Sequence, residues 1–553
     1  MNSELLAKAL AWKDQDPDPV TRAEVQHLIN IDDEAGLRAR FDYRLAFGTA
    51  GIRGELGAGP NRMNRVLVAQ AAAGIANWLL AHPEYWHGRD KPSIVIGFDG
   101  RINSDVFAED SAAVFAGAGI EVLLFDTTVP TPIVAFSVKQ GGFSAGIMVT
   151  ASHNPPRDNG YKVYLGGPNG GSQIIPPVDA EIAREIEIVA SSKAFANIPM
   201  SDQFEVGGQE LQEQYLGVTA NLISPERDRD PLSTVYTAMH GVGWPLLSRL
   251  FELAGLPRPA VVKSQIDPDG TFPTVSFPNP EEPGALDASF EEARRIKAQL
   301  ILANDPDADR LAVGVPNHNY PSGFRIFTGD ELGLILGAEM AKLATENGES
   351  GTIACSIVSS SALQGVALFM GLDFTQTLTG FKWISKVPQL IFGYEEALGY
   401  SVDPKHTPDK DGISAALVIA DLAARLTAMG LTLEQHLVNL GELFGHFATG
   451  QVSVRLENID LAKATVARLR QNPPTELLGM EVAFTDLSLG SELLPATDGL
   501  RFDLEDGRRI IVRPSGTEPK LKCYLQVIGD SEPHAKAGLE ELTQEVRKLI
   551  QQP

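Results

Sequence analysis

The stretch Gly146-Ile147-Met148-Val149, followed at once by Thr150-Ala151-Ser152-His153-Asn154-Pro155-Pro156, constrains this chain more than any other. Four apolar residues in a row read as a buried strand. Small polar residues and a Pro-Pro pair cannot continue a sheet, so the strand stops there and a loop begins. Upstream, Ile94–Gly97 reads as a strand, Ser104–Gly117 as a helix and Glu121–Phe125 as a strand. That alternation implies a mostly parallel sheet. Ser152 then lies in a loop just past the end of a buried strand, where ligands and chemistry collect in open α/β sheets.

The same grammar recurs. With 553 residues the chain is too long for one core, and roughly three to five domains are expected. Residues 1–40 read as a polar helical extension. After Ser152, Asn159–Tyr164 returns as a strand carrying Lys162, and a Gly/Pro-rich loop and the helix Asp179–Val189 close the first domain. A second α/β unit carries His240-Gly241-Val242-Gly243 and Asp305-Pro306-Asp307-Ala308-Asp309-Arg310. A third carries Thr379-Gly380-Phe381-Lys382, Glu395-Glu396 and Lys410-Asp411-Gly412. From about residue 445 alternating strands flank two helices, the texture of a smaller α+β domain. The expected fold class is α/β, with domains at 1–205, 206–322, 323–443 and 444–553.

A net charge of −25 argues against nucleic acid or an anionic membrane as partner. Arg and Lys nevertheless gather near the motifs, so a locally basic site remains open. Cys355 and Cys523 lie far apart with no metal or redox spacing, which suits a reducing compartment. The start lacks the pattern of a signal peptide, and there is no run of about 18 apolar residues. A cytoplasmic protein is expected.

The motifs point to phosphoryl chemistry. Asp305, Asp307 and Asp309 alternate, so three carboxylates can converge on one hard cation. Arg310 and Pro316 occupy the glycine and twelfth positions of an EF-hand loop, which excludes that motif. Like charges at this density repel without a cation, and three carboxylates beside a phosphate oxygen suit Mg²⁺. Ser152, near such a metal and near Lys162 and Arg310, can store a phosphoryl group; no G-x-S-x-G elbow supports hydrolase chemistry. His153 reads as a loop hydrogen-bonder rather than a catalyst. Lys162 and Lys382 can take a proton from an accepting hydroxyl if neighbouring cations depress them. Arg53, among Gly48, Gly51 and Gly54, reads either as a solvated turn residue or as a guanidinium aimed at phosphate. Glu395 and Glu396 can grip a vicinal diol or serve as acids at a helix start. The loop Arg513-Pro514-Ser515-Gly516-Thr517-Glu518-Pro519-Lys520 can cradle a phosphate and has no nucleophile of its own.

Together, Thr150–Pro155, Asp305–Arg310, Gly393–Gly399 and Arg513–Pro519 resemble the α-D-phosphohexomutase family over nearly the whole chain. The resemblance implies four domains around a central cleft, three with a related α/β mixed-sheet core and a fourth that binds phosphate. It implies that Ser152 is the phosphoserine and, with Asp305, Asp307 and Asp309, binds Mg²⁺. Lys162, Lys382 and Arg53 join the catalytic set. Thr379, Gly380, Glu395, Glu396, His153, Arg310, Arg513, Ser515, Gly516 and Thr517 form the substrate-binding set. The implied reaction is that of a phosphoglucomutase, by way of a bisphosphate that reorients, with glucose 1,6-bisphosphate as activator and mannose phosphates as further substrates. The expected partner is a small phosphosugar, and the expected assembly is a monomer or weak homodimer. One departure stands out: the family's sugar loop commonly carries a serine where this chain has Ala397. The Glu-Glu-Ala-Leu-Gly-Tyr form resembles the branch that also holds phosphopentomutases and a glucose 1,6-bisphosphate synthase. Those two activities, and a non-catalytic sugar-phosphate sensor, are the alternatives.

Overall fold

The computed structural model describes residues 2–48, 51–224, 227–456, 459–492, 494–514 and 520–551. The chain divides into two compact units, Met1–Ile326 with Gly399–Ala424, and Phe327–Leu398 with Arg425–Pro553.

The first unit opens with three helices, Ser3–Gln15, Pro19–Asn30 and Glu34–Phe41. Asn2, Asp18 and Asp33 cap them, each side chain accepting a first-turn amide. A six-stranded sheet follows, in the order Ile52–Glu55, Asp158–Leu165, Ala145–Val149, Ser93–Phe98, Glu121–Phe125, Glu205–Gly207. The last four strands run parallel. Asp158–Leu165 returns antiparallel, because the loop after Val149 is too short for a crossover. Ile52–Glu55 falls where the sequence suggests a glycine-rich turn. It is an edge strand, with Arg53 opposite Gly160.

The five-stranded sheet has the order Phe324–Ile326, Leu311–Pro316, Leu300–Asn304, Thr234–Thr237, Ala260–Val261. Leu300–Asn304 and Leu311–Pro316 pair antiparallel, with Asn304 opposite Leu311. Residues 305–310 therefore close a hairpin, and the three aspartates sit on one tight loop. The His240–Gly243 turn presses against that loop: a Cβ on Gly241 would lie 2.3 Å from the Pro306 carbonyl oxygen. Residues 399–424 also belong here, although they lie within the stretch read as a third domain. Gly412 makes this possible, since a Cβ there would sit 2.2 Å from the Arg310 carbonyl oxygen.

In the second unit Thr352–Ser356 pairs in parallel with Asp373–Thr377 and with Leu390–Glu395. The helix Gly329–Glu346 begins in a Thr328/Glu331 capping box. A six-stranded antiparallel sheet, from His446–Arg455 to Glu476–Leu477, carries the helices Ile459–Gln471 and Glu532–Gln551. This is the α+β domain expected at the C-terminal end. Among the described residues no single helix is long and apolar enough to cross a membrane.

One close approach sets the first domain's packing. The helix Arg65–Ala81 is buried on nearly every side, and its Gly74 meets the helix Val178–Ser192 at backbone distance. A Cβ on Gly74 would lie 2.6 Å from the Ile186 amide nitrogen and Cα. Replacing a helical glycine by alanine ordinarily stabilises by about 1 kcal/mol. Overpacking against backbone costs about 1–3 kcal/mol and should win here. Gly74→Ala is therefore expected to lower the melting temperature; an unchanged or higher value would show that the two helices can separate freely.

Candidate active site

Ser152 is buried and sits at a left-handed φ of 51°. That conformation costs a non-glycine residue about 1–2 kcal/mol, so its surroundings must impose it. Its amide donates to the Thr150 hydroxyl at 2.8 Å, and that hydroxyl donates to Asp99 at 2.6 Å. Its carbonyl accepts from Arg101 at 2.6 Å. Ser152 Oγ donates to Asp305 Oδ2 at 2.9 Å and lies 3.2 Å from His153 Nδ1.

Asp305, Asp307 and Asp309 have no solvent exposure. One oxygen from each lies within 4.8 Å of the others. Asp307 Oδ1 and Asp309 Oδ1 are buried without a hydrogen-bond donor. Buried carboxylate oxygens are seldom left so, and an oxygen-only donor set of this kind fits Mg²⁺. Burial and the neighbouring Asp307 and Asp309 charges push Asp305 well above the usual carboxylate range.

Lys162 donates to Asp307 Oδ2 at 2.7 Å and to Asp309 Oδ2 at 2.8 Å. Burial and the nearby Lys410 cation favour the neutral amine, but Asp307 and Asp309 outweigh them and hold the ammonium above its ordinary range, so the depression by cations that would make Lys162 a ready proton acceptor does not prevail here. Thr131, at the head of the helix Thr131–Gln140, donates its hydroxyl to Asp307 at 2.6 Å. Lys410 lies 3.1 Å from Asp309 Oδ2. Its neighbour Asp409 accepts from Tyr164 at 2.6 Å and from Gln173 at 2.9 Å. Sequence reasoning gave Lys410 no role; the available signal was a lysine in an Asp-Lys-Asp-Gly turn heading a long apolar helix.

Arg310 flanks the trio, its Nε 4.0 Å from Asp305 and 3.9 Å from Asp309. Arg53 is exposed and donates to Asn154 Oδ1 at 3.0 Å, so it lies beside the serine loop. Burial and the Arg310 and Arg53 cations push His153 well below its ordinary range, which keeps the ring neutral. The first unit thus brings Ser152, His153, Lys162, Arg53, Arg310 and the three aspartates to one place.

The second unit gathers another set. Glu395 Oε1 accepts from the Gly380 amide at 2.7 Å. Arg513 donates to the Thr379 hydroxyl. Lys382 belongs to the short helix Phe381–Ile384, its ammonium 5.9 Å from the centre of the Trp383 ring. Ser515, Gly516 and Thr517 lie outside the described residues. Glu396 departs from its neighbour: its Oε2 accepts from Ser356 at 3.1 Å and Ser359 at 3.0 Å. Burial, then the Glu395 and Asp330 charges, push it up to about 7. The folded protein therefore holds this proton above the ordinary value of 4.5 and loses stability as pH rises from there to about 7. Glu396→Gln escapes that loss. Its stability relative to the parent should rise by about 2 kcal/mol between pH 5 and pH 8. Thermal melts at the two pH values check this, and a pH-independent difference would contradict it.

Known proteins share this order of domains. Phosphoglucomutase/phosphomannomutase domain models match in order: alpha/beta/alpha domain I at residues 44–192, domain II at 213–318, domain III at 328–442 and the C-terminal domain at 452–545. A Haemophilus influenzae protein described as "Probable phosphomannomutase" is 48% identical, over 89% of this chain and 98% of its own. A Homo sapiens phosphopentomutase is 35% identical over 98% of this chain and 95% of its own. The Burkholderia thailandensis phosphoglucomutase/phosphomannomutase family protein superposes with a TM-score of 0.67 at 20% identity, covering 92% of this chain and 97% of that one. Such a likeness shows the four-domain α/β fold, and the sequence relatives are named mutases, enzymes of the isomerase class. The chain belongs to the phosphoglucomutase/phosphomannomutase family.

Proposed function

We propose that this enzyme is a Mg²⁺-dependent phosphohexomutase that interconverts glucose 1-phosphate and glucose 6-phosphate and also accepts mannose phosphates. The observation that carries the reading is the Ser152 hydroxyl, buried and hydrogen-bonded to one of three clustered aspartates, two of which have an oxygen without a donor. Ser152 carries the phosphoryl group and passes it to the free hydroxyl of a phosphosugar. The resulting bisphosphate turns around, and its other phosphate returns to the serine. Asp305, Asp307 and Asp309 would hold Mg²⁺, which when bound supplies charge to the phosphoryl oxygens. Arg310 and Arg53 add cationic donors beside that group. Lys162 and Lys410 hold protons at its edge. In the second unit Glu395, fixed at one oxygen by Gly380, offers the other to sugar hydroxyls. Lys382 handles the hydroxyl proton, and Arg513 with the loop after it cradles the idle phosphate. Glucose 1,6-bisphosphate acts as activator by refilling Ser152.

A second reading, phosphopentomutase, has its own support. Ala397 lacks the hydroxyl common in hexose-specific loops, and curated phosphopentomutases match along nearly the whole chain. Parallel assays on glucose 1-phosphate, mannose 1-phosphate and ribose 1-phosphate separate the readings. The highest kcat/KM is expected on a hexose phosphate, and a clear preference for ribose 1-phosphate would transfer the reading to pentoses. Ser152→Ala should reduce turnover at least about 1,000-fold with the fold intact, since the nucleophile is removed. Substantial residual mutase activity would refute the phosphoserine. Chelation of divalent cations should abolish turnover and added Mg²⁺ restore it; full activity after chelation would rule out the metal role.

A further inference from the structure

The turn Asp99-Gly100-Arg101 follows the strand Ser93–Phe98. Arg101 is only 3% exposed. One terminal nitrogen of its guanidinium donates to the carbonyls of Pro155 at 2.9 Å and Asp158 at 3.0 Å. The other donates to the carbonyls of Ser152 at 2.6 Å and Asn154 at 2.7 Å. Three carbonyls of one short loop and a fourth from the first residue of the strand after it thus turn inward onto a single planar cation, and one of them belongs to the strained serine itself.

The cation is fixed from its other sides. Its Nε lies 3.4 Å from the Asp99 carboxylate. Asp99 also orients the Thr150 hydroxyl that receives the Ser152 amide, so the Asp99–Arg101 turn grips the serine at both its N–H and its C=O. The Phe272 ring covers the guanidinium, with its centre 4.9 Å from the guanidinium carbon. Phe272 comes from the loop that also packs on His240, whose turn presses on the aspartate loop. This contact is tight: a Cβ on Gly100 would lie 2.6 Å from Pro268, and one on Gly270 would lie 2.6 Å from the Ile102 amide. One continuous packed path therefore links the serine loop to the aspartate loop through Arg101.

We infer that Arg101 is a positioning residue for phosphoryl transfer: it holds the Ser152 loop in the left-handed conformation that keeps the serine oxygen on the aspartate trio. The inference rests on the reading of Ser152 as the phosphoryl carrier. It requires arginine, because four acceptors divided between two terminal nitrogens match the guanidinium fork, whereas a lysine ammonium offers three donors from one point. A role in folding alone predicts something different, namely fewer folded molecules that each react at the normal rate.

The test is Arg101→Lys and Arg101→Met, with Ser152→Ala as control. The readouts are the folded fraction, kcat, KM and the single-turnover rate at which phosphorylated folded enzyme transfers to glucose 1-phosphate. A displacement of about 1 Å at a reacting atom lowers rate on the order of 100-fold. Folded R101K should therefore lose roughly 100-fold in single-turnover rate and kcat, with KM within about threefold of the parent, and R101M should lose more. R101K keeps the charge, so it carries the comparison where R101M does not fold. A folded R101K that transfers within about threefold of the parent rate, beside an inactive S152A, overturns the role of Arg101 alone. An active S152A overturns the phosphoserine reading beneath it.

Discussion

Three buried carboxylates of like charge on a six-residue hairpin loop are the constraint around which the first unit is arranged. Left to themselves they repel, and burial strengthens the repulsion by removing water. Each neighbouring element answers part of that problem. The strand after the serine loop brings Lys162, the helix Thr131–Gln140 brings a hydroxyl, and the segment from 399 onward brings Lys410. Two carboxylate oxygens still lack donors, and Asp305 is pushed towards holding a proton. Partial compensation of this kind is what a site needs if it is to accept a divalent cation while offering a serine oxygen beside it.

The serine side meets the same place through strain. A left-handed Ser152 is unfavourable in isolation, and it persists because Thr150, Asp99 and Arg101 determine its amide and carbonyl together. In the second unit two adjacent carboxylates take separate roles by environment. Glu395 receives a backbone amide and keeps an oxygen for other partners. Glu396 turns to two serine hydroxyls and holds its proton to about pH 7. Adjacent residues near a strand end point to opposite sides, so neighbours in sequence need not share a function.

Much of this was legible in the sequence. The strand before Ser152, the helix Ser104–Gly117 and the alternating aspartates follow from local pattern, and the structure places them as read. What escaped depends on long-range packing. Ile52–Glu55 is a strand only because Asp158–Leu165 offers an edge to pair with, while its glycines suggest a turn. Prolines at 130 and 132 mask the helix Thr131–Gln140, where a proline in the first turn is harmless. Lys410 lies 101 positions after Asp309 and meets it because Gly412 lets two backbones touch. The surroundings of Lys162 were not legible, since sequence shows which charges exist and not which of them become neighbours.

The central claim is that Ser152 carries the phosphoryl group between sugar positions. Rapid-quench kinetics with glucose 1,6-bisphosphate bearing radiolabelled phosphate addresses it most directly. Label should appear on Ser152 in the presence of Mg²⁺ and then leave with added glucose 1-phosphate, at a rate no slower than turnover. Label that never reaches Ser152, or that reaches it more slowly than the enzyme turns over, would contradict the account.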